Sequence, residues 1–201
     1  MYVETIDYTL DPIDLIAVCA GTSYGKVDTK ESRVKNCFQN GHMSVFEHVK
    51  ITFLIDGISR ACSHQLVRHR VGCSYTQESQ RYVKLDISQD WYVVPPEFDK
   101  FVFDAAMQNQ AENYQRALEA GIKPEDARYL LPNAAKTKIC VTMTLTALFH
   151  FLDERLDKHA QWEIRELAAE MLEEVKTING EYCKIIGWYQ DKRGDNDQGN
   201  L

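Results

Sequence analysis

Arg68, His69 and Arg70 stand in a row, and a run of hydroxyl, amide and acid side chains from Ser74 to Ser79 leads on to Gln80, Arg81 and Tyr82. Three adjacent cationic or potentially cationic side chains repel one another unless an anion or a carboxylate sits among them. In an extended segment successive side chains alternate faces, so Gln77, Ser79 and Arg81 are expected on one side, with Arg68 and Arg70 sharing a face upstream. The pattern offers two anion-binding forks separated by a hydrogen-bonding strip, a cradle for something phosphorylated and planar. The residue types leave open a plainer alternative, a surface hairpin whose arginines pair with acidic neighbours.

Other reactive groups say less on their own. His42 and His150 read as solvated or structural histidines, and Arg128 as an ion-pair partner on a short helix. Arg155 is surrounded by Asp153, Glu154 and Asp157 and would make contacts along one helix face. Ser79 has no evident His-Asp pair to activate it. No Gly-x-Gly-x-x-Gly follows a strand and no Walker-type loop is present, which by itself argues against a dinucleotide enzyme. The six cysteines contain no Cys-x-x-Cys pair, and their spacing suits neither a zinc site nor a disulfide framework. No metal site is expected.

Longer motifs change the weighting. Arg-His-Arg followed by Ser79-x-Arg81-Tyr82 is preceded by Gly41-His42-x-Ser44-x-Phe46-Glu47-His48. Arg128-x-x-Leu131-Pro132 and Arg155-x-x-x-His159-Ala160-Gln161-Trp162-Glu163 come after it. Four motifs in this order, from about Asp28 to Glu163, resemble the flavin-dependent thymidylate synthases. The resemblance implies reductive methylation of dUMP to dTMP, with 5,10-methylenetetrahydrofolate as carbon donor and NADPH supplying hydride through FAD. It implies a homotetramer whose FAD lies across subunits and is held by side chains. The phosphate work of a glycine loop then passes to Arg68, His69 and Arg70, with His42, Ser44, Gln77, Thr144, Thr146 and His150 near the cofactor. For dUMP it implies Arg81 and Arg128 at the phosphate, and Gln65, Arg68, Gln77, Glu78, Ser79 and Gln80 around sugar and base. Arg155 becomes the catalytic candidate, a guanidinium against the pyrimidine O2/N3 edge that favours charge at C5. Ser79 is expected to position and polarise, because reduced flavin delivers hydride without an enzyme nucleophile. Cys73, in Gly-Cys-Ser, reads as incidental.

Two departures stand out. Eight residues separate Arg70 from Ser79 where the family commonly has seven, and an extra strand residue reverses all later side chains unless a bulge absorbs it. Gly72 is the expected place for such a bulge. Thr144-Leu145-Thr146 also stands where the family usually has Asn-Ala-Arg facing FAD.

The elements that must hold these groups are mixed in order, which favours an α+β fold with a mixed or antiparallel sheet and flanking helices. Strands are expected at residues 1–9, at Val49–Ile55, at Gln80–Leu85, at Trp91–Val94 and at Ile139–Leu145. Helices are expected after Asp11-Pro12, after a capping box of Asp28 and Glu31, and over about Ile58–Val67. Further helices are expected through Phe103–Leu118, from Pro124 to Pro132, through Phe149–Leu152 and from about Ala160 to Ile178. A chain of 201 residues suits one domain, taken as 1–190, with a polar and disordered tail at 191–201. No apolar run approaches membrane-spanning length and the first residues lack a signal-peptide pattern, so a cytoplasmic protein is expected. The net charge of −7 argues against a general nucleic-acid binder. Two other readings stay open: a nucleotide or single-strand binding module that stacks bases on Tyr75, Tyr82 and Trp91, and a flavoprotein of the same fold that oxidises NADPH without methyl transfer.

Overall fold

The computed structural model describes residues 1–88 and 90–198, with backbone only at 195–198. Four strands, β1 (Tyr2–Tyr8), β2 (Lys50–Ser59), β3 (Cys73–Gln77) and β4 (Lys136–Thr144), form one sheet in the order β1-β2-β4-β3. Each neighbouring pair is antiparallel. Thr144 N donates to Gly72 O and Glu78 N to Lys138 O, which fixes β3 against β4. Leu145 N donates to Val49 O, and the Thr52 and Thr142 hydroxyls meet at 2.9 Å, which fixes β2 against β4. Thr9 N donates to Lys50 O at the far end of β1. The α+β expectation with an antiparallel sheet holds.

Alternation explains the strands. Val49, Ile51, Phe53 and Ile55 of β2, and Ile139, Val141 and Met143 of β4, are all fully buried, while Thr52 and Thr142 between them are only half-buried. Helices cover the apolar positions: α1 (Pro12–Thr22), α2 (Glu31–Gln39), α3 (Arg60–Leu66), α4 (Lys100–Glu119), α5 (Pro124–Ala127), α6 (Leu145–Arg155), α7 (Trp162–Ile178) and α8 (Gly180–Gln198). On α7 the predicted face of Ile164, Leu167, Ala168, Met171 and Val175 is completely buried. Each large side chain so removed from water stabilises the fold by about 1.5–3 kcal/mol.

Two junctions matter most for function. β2 runs into α3 and β4 into α6 with no loop between, and in both the last strand residue caps the helix. Ser59 Oγ accepts from Cys62 N at 2.9 Å, and Thr144 Oγ1 accepts from Ala147 N at 3.2 Å. A hydroxyl at this position takes one of the unpaired N–H groups of the first turn and contributes about 1 kcal/mol. Side chains on α3 and α6 are thereby tied to the ends of buried strands.

Several expectations fail for local reasons. Gly57 does not turn the chain; with φ +80° it lets β2 continue to Ser59. Asp28 does not cap α2, because its carboxylate pairs with Arg33 Nη1 at 2.7 Å and Lys30 stands at the cap without a side-chain bond. Residues 80–85 form no strand: Tyr82 N and Val83 N both donate to Ser79 O and curl the segment into a turn. Trp91–Val94 contributes only one antiparallel bridge, Tyr92 to Ala135. The expected bulge is also absent from the ladder, since pairs 72·144 and 78·138 share one register. The chain turns at Val71 and Gly72, just before β3, and Gly72 has φ +70°. Residues 191–198, expected as tail, continue α8, and Lys192 and Arg193 bond Phe38 O and Leu152 O. Residues 199–201 of that tail lie outside the described residues.

The chain groups into two compact units. One comprises Met1–Tyr2, Ile55–Arg68 and Thr76–Ile139; the other comprises Val3–Leu54, His69–Tyr75 and the chain from Cys140 onward. The first has a core of Trp91, Met107, Ala111 and Ala135 with a second cluster of Tyr114, Ala117 and Ala127. The second holds the α7 face and the aromatic group of Phe38, Phe46 and Phe149. Among the described residues no helix is long and apolar enough to cross a membrane.

Candidate active site

In the first unit the nucleotide candidates lie on α3, on the segment after β3 and on the single 3-10 turn after α5. Glu78 N donates to Lys138 O, and Glu78 O accepts from Arg60 Nη2 at 2.9 Å. Ser79 turns the chain: its Oγ accepts from Arg81 N at 3.3 Å, leaving the hydroxyl proton to donate elsewhere. Arg81 lies 3.6 Å from a Glu125 carboxylate oxygen, and Arg128 Nε donates to Glu125 O at 3.0 Å. Glu125 thus draws two guanidinium groups to one place. The Arg81–Glu125 pair is about half exposed on both sides, so it contributes at most about 1 kcal/mol and yields readily to a doubly charged phosphate.

A cavity of about 320 Å³ opens here between Arg60, His64, Gln80, Arg128, Tyr129 and Asn133. Arg60 and His64 were not singled out from the sequence. Burial lowers the Arg60 pKa, opposed by the charge of Glu78 and aided by that of Arg128, and Arg60 Nε is buried with no hydrogen-bond partner among the described residues. Two guanidiniums and an unpaired buried N–H around one cavity favour an anion there. The local signal was too thin to find Arg60, which follows a capping serine like any first-turn residue. Gln65 is half-buried on α3, and Arg68, whose backbone N donates to Gln65 O, is exposed just beyond it with no side-chain partner among the described residues. Gln77 departs from the expected row with Ser79 and Arg81. Its Nε2 turns inward to Ser63 Oγ at 2.9 Å and Thr137 Oγ1 at 3.2 Å.

In the second unit His69 is 8% exposed and packs edge-on to Phe151 at 5.1 Å and to His150 at 5.6 Å. Arg155 Nε donates to His69 Nε2 at 3.0 Å, which assigns the imidazole proton to Nδ1. Burial first, then the charges of Arg155 and His150, push His69 down to about 4. His69 is therefore a neutral acceptor that holds Arg155. The phosphate-binding role expected for His69 does not match this geometry, because the ring is buried and its Nε2 is already occupied. Tyr75 OH fixes the same segment by donating to His69 O at 2.6 Å. Arg70 is exposed and, like the terminal nitrogens of Arg155, has no partner among the described residues. The Cys73 thiol is pushed up by burial, the wrong direction for a nucleophile.

The remaining flavin candidates gather on α6 and on the 3-10 turn Met43–His48, flanked by His42. Thr146 Oγ1 donates to Met43 O at 2.9 Å and joins the two elements. His150, one turn along from Thr146, is exposed, as are His42 and Ser44. Thr144 is committed to its cap. A cavity of about 340 Å³ borders Thr146 and His150. Phe38, Phe149 and Tyr189 also line it, with Lys192 and Arg193; one exposed imidazole, a hydroxyl and two cations around an aromatic-walled cavity suit the polar and planar parts of FAD.

The family described as "Thymidylate synthase complementing protein" matches residues 4–179. The chain is 44% identical to the flavin-dependent thymidylate synthase of Geobacter sulfurreducens, covering 89% of this chain and 83% of that one. It is 41% identical to that of Clostridium tetani, covering 92% and 86%. A crystal structure of flavin-dependent thymidylate synthase from Helicobacter pylori, complexed with FAD and dUMP, superposes with a TM-score of 0.78 at 24% identity, covering 95% of this chain and 99% of that one. A family match over most of the length, together with relatives at this identity, makes the chain a member of the flavin-dependent thymidylate synthases.

Proposed function

We propose that this protein converts dUMP to dTMP, taking carbon from 5,10-methylenetetrahydrofolate and hydride from NADPH by way of FAD. The observation that carries the catalytic part is Arg155, held through Nε by a buried neutral histidine, with both terminal nitrogens turned to no protein group among the described residues. A guanidinium fixed at one nitrogen can present the other two as a fork. Against the O2/N3 edge of uracil that fork stabilises negative charge spread from C5, which is what attack by C5 on a one-carbon donor requires. It acts on a charge that grows in the transition state, so it lowers the barrier rather than only the binding energy.

The other groups bind and orient. Arg81 and Arg128, already converging on Glu125, take the nucleotide phosphate, with Arg60 and Gln80 beside them. Ser79 donates its free hydroxyl proton and polarises the base, and Gln65 and Glu78 flank the sugar. Arg68 and Arg70 meet phosphate, and His42, Ser44, Thr146 and His150 border the flavin. Gln77 and Thr144 act through the framework, since their polar groups are already bonded. FAD, when bound, relays hydride between NADPH and the pyrimidine. The lack of a glycine-rich phosphate loop supports sites completed by other copies of the chain in a homotetramer. Six cysteines without a disulfide accord with a cytoplasmic setting, and the acidic balance speaks against nucleic-acid partners.

The test is incubation with dUMP, 5,10-methylenetetrahydrofolate, NADPH and added FAD, with dTMP measured by chromatography and the flavin band followed as dUMP is added. dTMP formation and a perturbed band are expected. NADPH oxidation with no dTMP would leave only the reading in which methyl transfer is lost.

A further inference from the structure

The cavity beside Thr146 and His150 has a feature the motifs do not account for. Its far wall is α8, which lies beyond residue 179, where the family match ends. Phe149 and Tyr189 stack there with ring centroids 5.2 Å apart and planes 10° from parallel, and Phe38 meets Phe149 edge-on at 5.4 Å. Two cations border this aromatic wall. Lys192 Nζ donates to Phe38 O at 3.1 Å and sits 5.3 Å from the Phe38 ring centroid. Arg193 Nη1 donates to Leu152 O and to Tyr189 OH, both at 3.2 Å. The acid in the cavity, Asp153, accepts from Tyr189 OH at 2.8 Å. Lys192 and Arg193 exceed it by one positive charge, before any on His150, in a chain whose net charge is −7. A positive cavity with aromatic walls in an acidic molecule selects a planar ligand with an anionic group.

We propose that Lys192 and Arg193 of α8 pair with an anionic group of an aromatic ligand in this cavity, supplying the charge that Thr146 does not. This rests on the flavin reading, since Thr146 and His150 bound the same space. Phosphate of FAD and carboxylate of the folate are two sources of such an anion. Both pair with a guanidinium or an ammonium in the same way.

The experiment titrates FAD into the apoprotein by flavin fluorescence and, separately, measures the KM for 5,10-methylenetetrahydrofolate. It compares wild type, Lys192→Gln, Lys192→Glu and Lys192→Gln with Arg193→Gln. Lys192 is exposed, so its single variants should melt within a few degrees of wild type and remain interpretable if Arg193→Gln loosens α6. The expected result is a rise in FAD Kd of about tenfold for Lys192→Gln and more for Lys192→Glu. Thr146→Arg in the Lys192→Gln background is expected to recover most of the loss, which a merely structural lysine would not allow. A rise confined to the folate KM assigns the same cations to the folate carboxylate. Unchanged values in both arms overturn the proposal while wild type still binds FAD. If folded wild type takes up no FAD at all, the flavin reading falls and this one falls with it.

Discussion

Arg155 and His69 form the pair on which the chemistry turns. Lysine at 155 keeps the charge but not the planar fork, and its single nitrogen cannot both bond His69 and meet two atoms of a pyrimidine. Arg155→Lys is expected to lower kcat/KM for dTMP formation by about 10²–10³-fold, the usual cost of one misplaced donor at a developing anion. The melting temperature should barely move. His69 adds a pH dependence whose sign is fixed by its environment. Its pKa is held near 4 in the folded chain against 6.5 when exposed, so between these values the unfolded chain binds more protons. Stability is therefore complete above about pH 6.5 and is lost as pH falls toward 4. Denaturant unfolding across this window should show that slope, and His69→Gln, which accepts from Arg155 without titrating, should flatten it.

At the scale of elements, the two loopless strand-to-helix junctions place the reactive side chains, and Gly72 locks one of them. A Cβ on Gly72 would lie 2.6 Å from Thr144 Oγ1 and 3.1 Å from Ala147 Cβ, at a φ of +70° that side chains resist. Gly72→Ala is expected to cost about 1–3 kcal/mol in denaturant unfolding, from backbone strain and a displaced α6 cap together. Thr144→Ala should cost only about 1 kcal/mol, because it loses the cap without the clash. What the sequence revealed follows the same division. The periods of β2, β4 and α7 are legible because each buries one face, whereas α8 buries only a short stripe, Tyr182, Ile185, Ile186 and Tyr189, and runs on through polar residues that read as a tail. The turn after Gln77 was hidden because its cause is Ser79 O taking two backbone N–H groups, which alternation does not reveal. Arg81, Arg128 and Arg155 stood out through their motifs; Arg60 gains meaning only where β2 ends beside Glu78 and Arg128.

At the scale of the whole molecule, the nucleotide candidates belong to one compact unit while Arg70, Thr146, His150 and Arg155 belong to the other. In the proposed homotetramer one chain's set would work with another chain's set, and closed symmetry would repeat that pairing at every site. Four chains of 23.2 kDa give about 93 kDa, which native mass measurement or light scattering should return. Mixing then tests whether sites are shared. Arg81→Ala and Arg155→Ala are each expected to be nearly inactive alone, for loss of the phosphate fork and of the C5 stabiliser. Neither residue is buried, so both variants should assemble. After the two are unfolded together and refolded, a site built from two chains has about one chance in four of drawing both intact residues. dTMP formation should then recover to about a quarter of wild type. If the mixture stays as inactive as its parts while still assembling as tetramers, Arg81 and Arg155 of a working site come from the same chain, and sharing between subunits is ruled out for this pair.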